Sequence, residues 1–362
     1  MAIETGGLTY WFHESVSCLH DCMAMILQWR GQEPIAVLGA HWCFFHDPAN
    51  VSTEEFYYPS RTGDLGRDLA PYHELGARWR LAPDSDALLG DICASLDDGR
   101  PALLVEDNFF MPNRPAFQDV HAAHLVLVTG YDSVAETLQI MEPTPPLYHG
   151  PISRAQLAQA VGSDNQARAQ SRDFFFAGSR IAFRWIEVDA FVPVPAMDGD
   201  GLRAILERNL DELGATGMSG KLVGIAGLET YLHDMVAGAR RSAAVAPSLL
   251  GEIYTMGWAH LAQTALHAEF LRQSGVALAC PALLEAARRV DGLAGQWTAF
   301  RLFGAHGAHG EIPAAAAIAE IDNRIGHFIA DHHRAVGAIE QAVAQIGSTG
   351  PVPWPGQKGS LR

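Results

Sequence analysis

Cysteine is scarce and unpatterned: 362 residues hold only Cys18, Cys22, Cys43, Cys93 and Cys280, with no C-x-x-C pair. An odd, scattered set excludes a disulfide framework and offers structural zinc no ligand pair, so the thiols are expected to be reduced. Long hydrophobic runs are also missing. No stretch of about 18 uninterrupted apolar residues occurs, and the N-terminus MAIETGGLTYWFHES has no basic start followed by an apolar segment. The expectation is a soluble, cytoplasmic protein with no membrane partner. Basic residues are in deficit, 25 against 41 acidic ones, for a formal charge of −16. That balance opposes binding to nucleic acid and to anionic lipid. It favours cationic ligands such as an aminosugar or polyamine, whereas an acidic carrier protein would need a local basic patch. Solubility alone accounts for the same charge in many proteins.

A chain of this length suffices for two cores. The first half is mixed in character; from about Asp198 the sequence is rich in alanine and leucine at helical spacing. Between them, Phe191-Val-Pro-Val-Pro-Ala-Met-Asp-Gly-Asp-Gly201 combines two prolines and two glycines after a β-like run from Phe183 to Val188. The expected organisation is therefore a domain over 1–195, an all-α domain over 196–347 and an irregular tail over 348–362. Helices are predicted over Leu202–Leu213, Leu222–Arg240, Leu249–Ser274, Pro281–Phe303 and Ala314–Ile346. The last is long and alanine-rich, and its apolar seam is a candidate surface for a homo-oligomer.

In the first half, Cys18 to Arg30 reads as a helix, with Cys22, Met23, Met25, Ile26 and Trp29 on an apolar face and Gly31 as its stop. Ala102–Glu106, His124–Thr129 and Thr137–Met141 read as neighbouring antiparallel strands. A helix followed by a sheet is an α+β arrangement. Its chemistry centres on Cys18. A helix start stabilises a thiolate through the local dipole and unpaired N–H groups. A histidine can take the thiol proton, and a third polar group can orient the ring. His124 opens one strand and Glu142 closes the next, so an antiparallel hairpin returns Glu142 to the level of His124. Cys22, one turn deeper, reads as a buried small hydrophobe. His121 is a rival base, although strand alternation sends it to the other side from His124. His13 and Glu14 are either loop residues or contributors to an oxyanion hole. Asp107 is either a turn residue or a contact for a cationic acceptor.

Ser17-Cys-Leu-His-Asp-Cys-Met-Ala-Met-Ile-Leu-Gln-Trp-Arg-Gly31 resembles the cysteine helix of papain-like leader peptidases, and His124-Leu-Val-Leu-Val-Thr-Gly-Tyr-Asp132 resembles their histidine strand. Met141-Glu-Pro143 stands where that fold commonly has Asp-Pro. More specifically, Gly99-Arg-Pro-Ala-Leu-Leu-Val-Glu-Asp-Asn, His121-Ala-Ala-His124 and Gly130-Tyr-Asp are similar to the butirosin-biosynthesis protein H family. His267-Ala-Glu-Phe-Leu271 looks like part of that family's helical second domain. The resemblance implies a papain-like first domain and acyl transfer from the phosphopantetheine of an acyl or peptidyl carrier protein to an amine of an aminoglycoside or related molecule. Lincosamide-type condensation is a similar possibility. No cofactor is implied beyond the carrier's own arm. The leader peptidases have glutamine six residues before the cysteine, where this chain has Phe12, which makes peptide hydrolysis a weaker reading.

Two other classes remain open at this level, a hydrolase of the same fold and an inactive scaffold in a biosynthetic complex. Metal chemistry is weaker still. His306, His309 and Glu311, and His327, Asp331 and His332, are ligand-type residues without a visible supporting shell, and exposed helix polarity explains them.

Overall fold

The computed structural model describes residues 2–4, 6–49, 61–163, 181–191, 197–217, 220–348, 350, 352 and 354. Its elements begin with β1 (Ala2–Glu4), α1 (Cys18–Trp29), α2 (Pro34–Leu38), β2 (Phe45–His46) and α3 (Leu65–Leu69). A sheet-forming stretch follows: β3 (Leu75–Leu81), α4 (Ser85–Asp97), β4 (Ala102–Asp107), β5 (Ala123–Asp132), β6 (Thr137–Glu142), β7 (Tyr148–Ser153), α5 (Arg154–Val161) and β8 (Arg184–Phe191). The second half holds α6 (Gly199–Leu213), β9 (Leu222–Val223), α7 (Gly224–Arg241), α8 (Ala246–Ala277), α9 (Pro281–His309) and α10 (Ala314–Gln345). The class is α+β, a sheet with flanking helices followed by a helical bundle.

The sheet runs β3-β8-β4-β5-β6-β7, antiparallel throughout, and β1 pairs with the far end of β5 at Gly130–Asp132. Every residue of β4 is buried, as expected of a central strand covered on both faces. The flanking helices start on local signals: Asp84 caps α4 by accepting from the Ala87 N–H, and Ser153 with Gln156 forms a capping box on α5. The edge strands lack a clean signal in the sequence. Strand β7 contains Gly150 and Pro151, which an edge tolerates and a central strand does not. Strand β3 exposes four consecutive residues at its C-terminal end.

The two halves interlock. Strand β2 pairs with β9, and the segment from Gly39 to His46 lies against α6 and α8. Trp42 is stacked between His267 (5.5 Å) and His332 (5.9 Å), and its indole N–H donates to Thr264 Oγ1 at 3.3 Å. His267 Nδ1–H donates to the Gly39 carbonyl at 2.8 Å. Gly39 is required here, because a Cβ would lie 2.5 Å from the Leu266 carbonyl oxygen.

Two expectations need correction. The apolar seam of α10 is not an open surface: Ile321, Ile325, Phe328, Ile339 and Ala342 are buried, and the helix packs on α6, α7 and α9. His332, read as exposed helix polarity, is buried against Trp42. The boundary placed at 195 falls within 192–196, outside the described residues. Beyond α10, Val352 N–H donates to the Met197 carbonyl at 2.7 Å and Trp354 is buried 5.5 Å from the Phe270 ring, so this part of the tail is anchored.

Candidate active site

Cys18 is the first residue of α1 and is buried. The N-cap, Ser17, makes no side-chain bond to the helix start; its Oγ instead meets His20 Nδ1 at 2.9 Å. The Ser17 side chain thus does not cap the start of α1, where backbone N–H groups and the helix dipole gather around Cys18. The helix packs on β5, where Cys22 Sγ–H points to the Leu125 carbonyl at 3.7 Å. Burial, then the charges of Glu142 and Asp21, push the Cys22 thiol well up, as suits a structural cysteine.

His124 is the second residue of β5, and its Nε2 lies 2.6 Å from Glu142 Oε2. The register pairs Leu127 with Met141, so one further step sets Glu142 beside Val126, on the same face as His124 and within diagonal reach. Glu142 Oε1 accepts the Thr144 N–H at 2.7 Å, and Arg114 Nη1 stands 3.4 Å from Oε2. A carboxylate fixed on three sides holds the imidazole through Nε2, which leaves Nδ1 as the atom to exchange a proton.

Three neighbours were not singled out by sequence. Arg114 comes from the loop between β4 and β5, which has no periodic signal. Glu106 is the register partner of His124 and is fully buried. Asp21, one turn along from Cys18, accepts the His13 backbone N–H at 3.2 Å. Burial raises its carboxyl to about 8, the His13 bond opposes the rise and the Glu142 charge adds to it.

The other expected residues fall in two places. His13 sits before α1, with its Nδ1 accepting the Ser15 N–H at 3.2 Å; Glu14 is an exposed turn residue. Asp107 and His121 form a separate arrangement. Asp107 follows Glu106, so it points to the opposite face from His124. Its Oδ1 accepts the N–H groups of Phe109 and Ala122 (both 3.1 Å), and its Oδ2 accepts from Ser163 Oγ (2.5 Å) and His121 Nδ1 (2.7 Å). A carboxylate so fully engaged is not an open contact for a cationic acceptor, which corrects that expectation for Asp107. The remaining cysteines are not joined in disulfides, and burial pushes the Cys43 thiol up to about 12.

In the metal-type groups, His306 meets Glu311 at 3.6 Å and Asp331 binds Gln296 and Arg334. Among the described residues no set of three His, Cys, Asp or Glu is placed to hold a metal ion.

Residues 17–143 match the family described as butirosin biosynthesis protein H, N-terminal. This segment belongs to that family. The match begins one residue before Cys18 and ends one residue after Glu142, so it encloses the residues just described from α1, β4, β5 and β6. A search of the curated proteins finds no match to the chain. Among the described residues no helix is long and apolar enough to cross a membrane.

Proposed function

We propose that this protein is a papain-like, amide-forming acyltransferase of secondary-metabolite biosynthesis, which moves an acyl group from a carrier-protein thioester to an amine. The observation that carries the reading is the buried His124–Glu142 pair at 2.6 Å, on the strand against which the helix beginning at Cys18 packs. Family membership of residues 17–143 supports a role in making an antibiotic-type metabolite.

In this reading Cys18 gives its proton to His124 Nδ1 and its sulfur attacks the thioester carbonyl. The carrier's thiol leaves with that proton, and the acyl group rests on Cys18. Backbone N–H groups at the start of α1 stabilise the oxyanion, with His13 in the adjoining loop. Glu142 keeps the ring oriented, and Arg114 keeps Glu142 in place. An amine then attacks the enzyme thioester, the C–N bond forms, the C–S bond breaks and Cys18 is regenerated. Thioester and amine partners require no metal or redox cofactor for this exchange.

The test is intact-protein mass spectrometry after mixing with acyl carrier protein. The expected result is an adduct of the acyl mass that is lost in Cys18→Ala and discharged by an amine. Undiminished amide formation by Cys18→Ala would overturn the covalent route. Release of free acid in place of amide, with amine present, would point to a hydrolase.

A further inference from the structure

A cavity of about 220 Å³ opens between α4, the turn joining β5 to β6, and the start of α5. It stands apart from the residues described above: Tyr131 on its wall lies seven residues beyond His124 along β5, roughly 20 Å away at the opposite end of the strand. Its floor is apolar, with the buried residues Leu89 and Leu138. Gly90 leaves the α4 side of the cavity without a side chain, and a Cβ at that position would meet nothing within 4 Å. Glycine weakens a helix interior, and here no close packing requires it. The space it leaves is filled by nothing in the chain.

The rim is polar and mostly acidic. Asp86, Asp132 and Glu136 line it against one cation, Arg154, which is paired with Asp86 at 3.0 Å. Carboxylates therefore outnumber cations by two. Asp132 Oδ1 accepts the N–H groups of Ala135 (3.1 Å) and Val134 (2.8 Å), and these bonds hold its carboxyl below the usual range, so it stays charged. The Glu136 carbonyl accepts the Arg154 N–H at 2.9 Å, which ties the turn to α5 and fixes the rim. Tyr131 and Thr137 add hydroxyl-bearing residues to the lining.

An apolar floor beneath surplus carboxylates and hydroxyls selects a compact ligand with an apolar face, a hydroxylated edge and a positive charge. A sugar ring has the first two, its C–H groups forming the face, and an amino group supplies the third. A bare metal ion would make no use of the floor, and among the described residues no set of three His, Cys, Asp or Glu is placed to hold one. We propose that this cavity is a binding site for a monocyclic aminosugar or an amine of the same shape and charge, with its ring over Leu89 and Leu138 and its ammonium group at Asp132 and Glu136. The formal charge of −16 draws such a cation toward the protein. Binding here does not depend on the chemistry at Cys18.

Cys93 supplies a readout, because it lines the cavity and is only partly buried, whereas the other four cysteines are buried. Glucosamine is titrated into the full-length protein by calorimetry just below neutral pH, where its amine is protonated, and alkylation of Cys93 by N-ethylmaleimide is followed by peptide mass spectrometry. The expected result is saturable binding, with Cys93 labelled roughly tenfold more slowly at about ten times the Kd. Affinity should fall at least about tenfold in Gly90→Leu, whose side chain fills the cavity, and with N-acetylglucosamine, which keeps the ring and loses the charge. Glu136→Gln, an exposed substitution, should weaken binding by about three- to tenfold and keeps the test open if Gly90→Leu disturbs α4. Absence of binding by the wild type would overturn the proposal. So would binding that leaves Cys93 labelling unchanged and is indifferent to both variants, or N-acetylglucosamine binding as tightly as glucosamine. Each of these outcomes leaves the Cys18 reading intact, since the acyl adduct is measured separately.

Discussion

Glu106 and His124 are register partners on β4 and β5, so the pleat sends both side chains to one side of the sheet, where both are buried. A carboxylate in that position favours the imidazolium that forms when His124 accepts the thiol proton, and low local polarity strengthens the effect. Glu106→Gln keeps the shape and removes the acid. The expected outcome is a melting temperature near that of the wild type and an acyl-transfer rate about tenfold lower, equivalent to ~1.4 kcal/mol of barrier. An unchanged rate would make Glu106 a spectator.

Glu142 touches the ring and also faces Arg114. Glu142→Gln should reduce transfer by between about 100- and 10,000-fold, the range spanned by positioned acid–base groups. It should also destabilise the fold by up to about 3–5 kcal/mol, because Arg114 then keeps a mostly buried charge without its partner. Arg114→Met, which removes the cation, should cost less activity than Glu142→Gln. Rates and denaturant midpoints measured on both variants test the ordering; equal rates in the two would contradict it.

The buried acid of Asp21 gives a stability signature of its own. Its carboxyl rises from an ordinary 3.8 to about 8, chiefly through burial. Between those values the unfolded chain has lost the proton and the folded chain retains it, so stability falls as the pH rises. Asp21→Asn keeps an oxygen for the His13 N–H and abolishes the titration. The variant should gain on the wild type from pH 5 to pH 8, by about 1–4 kcal/mol at the upper end, with no gain near pH 4. Parallel melting curves across that range would refute the assignment.

The central elements were legible because their signals are local. The helix after Ser17, the apolar strands and the long helices of the second half all follow from period and punctuation. The Cys18, His124 and Glu142 positions followed from the ends of those elements. Glu106 was hidden because its importance depends on register: a shift of one residue would send it to the opposite face. Asp107 stays ambiguous in sequence, turn residue or acceptor contact, for the converse reason. In sequence it is a polar residue closing a strand, and only the folded loop from Asn108 to Ala122 shows how its oxygens are occupied. Arg114 and the stacking of Trp42 depend on chain segments far apart in sequence, which periodicity does not report.

Acid should weaken the protein in a window set by the junction of its halves. Burial depresses His260 to about 3 and His267 and His332 to about 4, from an ordinary 6.5. Their contribution is complete above pH 6.5 and is lost progressively as the pH falls toward 4, because the unfolded chain takes up protons that the folded chain refuses. Glu212 acts lower. Burial works against its charge, but His41 and Arg61 outweigh it and hold the carboxyl at about 2, so its contribution is present above 4.5 and lost as the pH falls toward 2. Calorimetry from pH 7 to pH 3 should show a steadily falling melting temperature. His332→Phe should flatten the upper part of that slope.

The segment from Gly39 to His46 makes a prediction about cooperativity. It follows α2, which packs on both α1 and α8, so the helix bearing Cys18 and the helical bundle share one interior. Trp42→Ala removes a buried indole from between His267 and His332 and should cost about 3–5 kcal/mol. Gly39→Ala acts differently: it forces a Cβ to within 2.5 Å of the Leu266 carbonyl and pries α2 away from α8 without removing any apolar surface. Both variants should lower a single melting transition, followed equally by helical signal and by labelling of buried thiols in the first half, such as Cys22. Were the bundle an independent module, melting would separate into two steps and the Cys22 step would be untouched by Trp42→Ala. That outcome would also remove any reason for the bundle to influence the chemistry at Cys18.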